Sequence, residues 1–381
     1  MNNQLHVSNI LTSKGWLQNQ TVTITNGIVT SIEDWDGDEV NHNELTGTLI
    51  PGYVDTQVNG GGGVLLNSDP TYRGLKTIAN AHAQFGTVGM LPTLITDNLD
   101  VMEQAADAVS EAIADKHPTI LGVHFEGPFL SVEKKGVHDQ NHIRQLSERE
   151  LSVLTRKDLG KVMITVAPEN VSPDMIKHLV EHNVIVALGH SNADGETARL
   201  AIEAGATGFT HLFNAMSPLT SREPGMVGQA LLTDAAFCGL IVDHHHLHPD
   251  SASLAIKVKG KDRIMLVTDA MAHVGTSVSE MRFFDTTISR VGSKLTTPNG
   301  TLAGSCLDMH RAVLNVHRDL HISLEDSVNM ASATPAAFLK IDDTVGSIAP
   351  GQSASFVLLD EQLEIASVWL HGQPISNTIE Q

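Results

Sequence analysis

A (β/α)8 barrel carrying a small β domain is the fold class the chain predicts, on three observations. Eight short apolar, β-rich runs alternate with helical patterns between residues 51 and 344. Strand patterns without intervening helices occur only near the two ends. No Gly-x-Gly-x-x-Gly opens a helix after a first strand, which argues against an open, doubly wound sheet.

The length of 381 residues suffices for a large core and more than one domain. Hydrophobic residues make up 41% and charged residues 18%, the balance of a soluble globular protein rather than a disordered one. A formal net charge of −20 argues against sequence-independent nucleic-acid binding. The start, Met1 to His6, lacks a signal-peptide pattern, and no run of about 18 apolar residues offers a membrane span. Cys238 and Cys306 are the only cysteines, too few for a disulfide framework, so the cytoplasm is the expected compartment.

In chain order, residues 5–11, 20–25 and 28–33 cluster β-formers, with Asn26-Gly27 as a tight hairpin turn. The acidic stretch Asp34–Glu44 reads as loop. Barrel strands are expected near 53–57, 87–93, 119–126, 161–167, 184–189, 207–211, 237–243 and 263–268. Helices fall near 71–85, 98–116, 147–157, 173–182, 194–204, 224–232 and 250–259. Two more helices follow, near 306–319 and 324–338. Strand patterns return at 354–359 and 363–370, after a turn at 346–352. The ends therefore pair into one β domain, residues 1–50 plus 345–381, with the catalytic barrel, 51–344, inserted between them. The glycine run Gly60–Gly63 reads as a turn rather than a phosphate cradle.

In a barrel the C-terminal strand ends carry the chemistry. Taken in order they offer Gln57 and Asn59, Thr93, Glu126, Glu169, His190, His211, His246 and Asp269. The unit from Val184 to Met216 is the most informative. Two apolar runs each stop at a histidine, His190 and His211, and a helix capped by Asn192 and ended by Gly205 joins them. Glu126 closes a third run before Gly127-Pro128. One carboxylate and two imidazoles make a zinc-type set that leaves a position open for water, with a buried Glu–His hydrogen-bond network as the alternative. Asp269 is placed to act as a general base, as a fourth ligand or as a helix cap. Among the histidines at 244–246 and 248, His246 and the nearby Asp243 are the choices for the site. Arg222 is either an anion clamp or a surface partner of Glu223.

These residues resemble the N-acetylglucosamine-6-phosphate deacetylase family of the amidohydrolase superfamily. The resemblance rests on Pro51–Gly60, His124-Phe125-Glu126-Gly127-Pro128, Lys135-Gly136-Val137-His138, Gly189–Ala193, His211–Met216, Arg222-Glu223-Pro224-Gly225, Val267-Thr268-Asp269-Ala270 and Gly300–Ser305. It covers nearly the whole chain in one order. It implies a TIM-like barrel with a small β-sandwich domain built from both termini, assembled as a homodimer. It implies hydrolysis of N-acetyl-D-glucosamine 6-phosphate to D-glucosamine 6-phosphate and acetate by metal-activated water with an Asp acid/base.

Carried over by motif, Glu126, His190 and His211 hold the metal. Asp269 is the acid/base, and His138 is a second catalytic group. Gln57, Val137, His138, Asn214, Ala215, Arg222, Asp243, His246, Leu302, Ala303 and Gly304 meet the substrate. The partner is an amino-sugar phosphate, not nucleic acid or membrane. Where many amidohydrolases carry His-x-His, this chain has Gln57-Val58-Asn59. That favours one divalent ion per subunit, zinc first, with iron, manganese or cobalt as alternatives. Arg222–Gly228 and the histidine-rich turn also resemble the N-acetylgalactosamine-6-phosphate branch, which is the alternative substrate. A cyclic-amide hydrolase is disfavoured because strand four ends Val166-Ala167-Pro168-Glu169 without a lysine. A non-catalytic scaffold is disfavoured because the ligand set is complete.

Overall fold

The computed structural model describes residues 2–35 and 44–375. Most of the acidic stretch read as loop, residues 36–43, lies outside the described residues. Eight parallel strands form the barrel: β1 (Tyr53–Val58), β2 (Thr87–Ile95), β3 (Gly122–Glu126), β4 (Lys161–Val166), β5 (Val184–Leu188), β6 (Gly208–Phe209), β7 (Phe237–Leu240) and β8 (Ile264–Leu266). They hydrogen-bond in sequence order from β1 round to β8. The last seam, between β8 and β1, carries no strand ladder. It closes through the parallel bridge of Val58 with Ala270.

Most of the strands are apolar runs because both faces are covered, whereas β1 carries Asp55, Thr56 and Gln57 among its buried residues. Their outer faces and the surrounding helices form one large apolar layer that includes Val58, Phe125, Ile164, Val186 and Leu240. A smaller cluster joins Val54, Leu91, Met163, Ala187 and Met265 to Phe338 and Leu339, so the barrel is packed rather than open. Gly208 starts β6 for a local reason. A Cβ there would stand 2.9 Å from the Phe338 ring.

Side-chain caps start the helices at Thr71, Asn98, Ser172, Asp194 and Asp308. The helix after β5 is Gly195–Glu203, and its cap is Asp194, which accepts from the Thr197 amide. This corrects the expectation for Asn192, whose amide nitrogen instead bonds Glu169 at 2.8 Å. The expected helix at 324–338 is two helices, Leu324–Ala331 and Ala333–Leu339, separated at Ser332.

Strands from the two terminal segments join into one seven-stranded sheet. Asn2–Thr12 lies between Gly15–Thr25 and the parallel strand Glu44–Pro51. Glu44–Pro51 in turn pairs with Phe356–Leu359 from the other end of the chain. Leu5, Val7, Ile10, Val22, Leu49 and Phe356 form its core. A three-stranded antiparallel sheet, Glu280–Phe283, Thr286–Val291 and Lys294–Thr296, follows β8 and was not expected. Its Phe283, Ile288 and Leu295 pack with Met271 and Ala303 beside the site. Among the described residues, no helix is long and apolar enough to cross a membrane.

Candidate metal centre and active site

Glu126 is the last residue of β3, while His190, His211 and Asp269 stand two or three residues past the ends of β5, β6 and β8. All four are buried. His190, His211 and Asp269 have φ of +47°, +32° and +50°, a left-handed conformation costly for residues with a Cβ. Three such residues at one end of one barrel mean that the surrounding bonds dictate the backbone there.

Glu126 Oε1 lies 3.2 Å from His190 Nε2 and 3.1 Å from His211 Nε2, and the two ring nitrogens are 3.0 Å apart. His190 Nδ1 donates to the Lys134 carbonyl at 2.8 Å, which fixes the ring with Nε2 turned toward Glu126. His211 Nδ1 has no protein partner among the described residues. A carboxylate oxygen and two imidazole nitrogens in a triangle with edges of 3.0–3.2 Å fit a cation at bond lengths of about 2.0–2.2 Å.

His138 is the competing third donor. Donor atoms of Glu126, His138 and His190 lie within 4.8 Å of one another. His138 Nε2 stands 3.9 Å from Glu126 Oε2, however, and its Nδ1 is engaged by the Thr96 hydroxyl at 2.8 Å. The tighter triangle contains His211.

Electrostatics follow from burial. Burial raises the Glu126 carboxyl, but hydrogen bonds from His190 and His211 outweigh it and hold the group well below the usual carboxylate range. Burial, and then the charge of Glu126, push Asp269 up to about 6. Burial, reinforced by His190, keeps His138 well below the usual imidazole range. Burial depresses His211, yet the Glu126 carboxylate more than offsets it and the net shift is upward.

Around this group lies a cavity of about 250 Å³. Of the substrate residues expected from sequence, Val137, His138, Asn214, Ala215, His246, Leu302 and Gly304 line it. Gln57 sits beneath, where its amide donates to Glu126 Oε1 at 3.0 Å and to Asp269 Oδ1 at 3.2 Å. Asp243 stands behind His246 and accepts from its Nδ1 at 2.8 Å. Ala303 is fully buried against Met271 and Ile95. Arg222 is exposed and does not line the cavity. The other two rings of the histidine turn point elsewhere, His244 to Asp319 and His245 to Ser293. Glu169 braces the turn after His190 by accepting from the Ser191 hydroxyl at 2.6 Å.

Three further residues bear on the site: Asn59, expected at a strand end but with no role there, and Thr96 and Met271, which were not expected. Asn59 donates to Asp269 Oδ1 at 2.7 Å, Thr96 holds His138, and Met271 lines the cavity. Thr96 reaches the site because β2 runs on to Ile95, past Thr93 where the sequence predicts its end.

The family model "Amidohydrolase family" matches residues 48–375. The chain belongs to the amidohydrolase family. A protein of Shewanella sp. (strain ANA-3) named N-acetylgalactosamine-6-phosphate deacetylase is 47% identical over 96% of this chain and 93% of its own length. One of Vibrio furnissii named N-acetylglucosamine-6-phosphate deacetylase is 33% identical over 96% and 92%. The crystal structure of N-acetylglucosamine-6-phosphate deacetylase from Pasteurella multocida superposes with a TM-score of 0.94. It shares 33% identity and covers 98% of this chain and all of that one. The chain is a hydrolytic enzyme of this deacetylase group within the amidohydrolases.

Proposed function

We propose that the enzyme removes the acetyl group from an N-acetylhexosamine 6-phosphate, releasing acetate and the free amino-sugar phosphate. The observation that carries this reading is the triangle of Glu126, His190 and His211 beside Asp269 on the floor of one small cavity. Glu126, His190 and His211 would hold a single divalent ion, with zinc the first choice for one oxygen and two nitrogen donors. Bound there, the ion supplies Lewis acidity and lowers the pKa of water from ~15.7 toward ~7.

The chain's own groups do the rest. Gln57 and Asn59 both donate to Oδ1 of Asp269, which orients the carboxylate and leaves Oδ2 for the reaction. Asp269 takes the proton of the attacking water and returns it to the sugar nitrogen, because an unprotonated amide nitrogen is a poor leaving group. His138 faces the same space, held by Thr96 at Nδ1. The Thr96 hydroxyl donates to the Glu126 carbonyl at 3.1 Å, so His138 Nδ1 donates to Thr96 and its Nε2 faces the cavity as an acceptor for a substrate N–H or O–H. Asn214, Ala215 and His246 line the remaining wall and bind the sugar phosphate, with Val137, Leu302 and Gly304 enclosing it. Asp243 fixes the orientation of His246. Arg222 draws the dianion from outside the cavity through its charge. Residence in the cytoplasm and assembly as a homodimer belong to the same reading.

The gluco sugar is the reading drawn from sequence motifs, and the 47% identity to a protein named for the galacto sugar supports the 4-epimer as the second reading. Acetate release measured side by side on N-acetylglucosamine 6-phosphate and N-acetylgalactosamine 6-phosphate tests both. Turnover on at least one is expected. No acetate from either would refute the function.

A further inference from the structure

We propose that Asp55, buried beneath the cavity on β1, is a positioning residue that sets Asp269 through Thr268. This rests on the acid/base reading of Asp269. The seam between β8 and β1 lacks a strand ladder, and its one backbone bridge joins Val58 to Ala270. Below that bridge a side chain takes the ladder's place. Asp55 Oδ2 accepts from the Thr268 hydroxyl at 2.5 Å. Its Oδ1 accepts from the Gln57 amide at 3.1 Å and the Thr268 amide at 3.4 Å.

The residue after Thr268 is Asp269, at φ +50°. A non-glycine residue holds that conformation only where its surroundings fix it on both sides. The restraints that reach Asp269 from β1 come from the short segment that Asp55 begins. The Asp269 amide donates to the Gln57 carbonyl at 3.0 Å, and the Gln57 and Asn59 side chains hold its Oδ1. From the other side, Ser305 donates through its hydroxyl to the Thr268 carbonyl at 2.6 Å and through its amide to the Asp269 carbonyl at 2.9 Å. Asp55 and Ser305 thus grip Thr268 from opposite sides, one residue before the acid/base.

The choice of a carboxyl is itself informative. Asp55 is 0% exposed, and no cation is among the groups acting on it. An unpaired buried carboxyl is costly, and burial pushes this one up to about 7. A carboxylate can accept from all three donors at once. An asparagine of the same shape has one acceptor oxygen, and its NH2 would face either a hydroxyl or an amide N–H. Asp55→Asn therefore disturbs the grip while preserving volume.

The test compares kcat, KM and metal-to-protein ratio for Asp55→Asn, Thr268→Val, Thr268→Ser and the double variant Asp55→Asn/Thr268→Val, each as the metal-loaded enzyme. Asp55→Asn is expected to lower kcat by about 10²-fold, the cost of a misplaced reacting group. KM should stay within about twofold and the metal ratio should hold. Thr268→Val should fall with it, Thr268→Ser should recover most of the rate, and the double variant should be no worse than the worse single. An unchanged kcat in Asp55→Asn, a loss confined to KM, or fully additive losses would overturn the inference. If Asp55→Asn does not fold, equal rates for Thr268→Val and Thr268→Ser would do so. Asp269→Asn in the same assay separates the two failures. Wild-type turnover there removes the acid/base reading, whereas loss there beside an unaffected Asp55→Asn removes only the role of Asp55.

Discussion

The floor of the cavity and its rim are built from different parts of the chain. On the floor, Glu126, His190, His211 and Asp269 come from strand ends, are buried, and are bonded to neighbours that are themselves buried. The rim is made of loops. Asn214 and Ala215 follow His211, Leu302 and Gly304 follow the three-stranded insert, and Arg222 stands outside on an exposed turn. Gly304, at φ +55°, lies so close to Met271 that a Cβ would meet its side chain at 2.6 Å, so this part of the rim is fitted to the floor. The contrast separates two duties. On the proposed function, the buried floor would set the rate of the chemical step and the loop-built rim would set which sugar enters and how tightly.

The sharpest way to break that division is Asp269→Asn. Turnover should fall by about 10²–10⁴-fold with the metal ratio unchanged, since Asp269 is outside the ligand triangle. Acetate release at the wild-type rate would remove Asp269 from the mechanism. At the rim, Arg222→Ala should raise KM for the phosphorylated sugar by up to about tenfold and leave kcat within about twofold. A fall in kcat with constant KM would mean that this turn belongs to the floor.

A smaller effect is expected on stability. Asp55 has a folded pKa near 7 against an ordinary 3.8. A carboxyl raised in the folded state contributes its stability below the unfolded value and loses it as pH rises through the folded one. The melting-temperature advantage of the wild type over Asp55→Asn should therefore narrow between about pH 4 and pH 7. A gap that stays constant over that range would show that the buried group is ionised throughout.

The floor was legible in the sequence because the barrel does the placing. Once strands ending at Glu126, His190, His211 and Asp269 are recognised, closure brings their ends together. Gln57 and Asn59 were legible as strand-end residues and as poor metal ligands, but their task of tethering Asp269 depends on the β8–β1 seam, a contact between residues more than 200 positions apart. The rim was less legible. Whether Arg222 reaches a cavity depends on the path of its loop, which no periodicity encodes. The three-stranded insert is not legible in the sequence because its strands carry Arg282, Arg290 and Lys294 and leave one face exposed, so their alternation reads as polar loop. The helix cap moved from Asn192 to Asp194 because Asn192 is taken up by Glu169 and Glu133.

The central claim is that one divalent ion on Glu126, His190 and His211 is required for deacetylation. Its most direct test is acetate release from the two N-acetylhexosamine 6-phosphates by the purified enzyme before chelation, after it, and after zinc is returned. The account predicts that activity is lost as metal is removed and comes back as the ratio approaches one ion per chain. Undiminished acetate release from protein stripped of metal would contradict it.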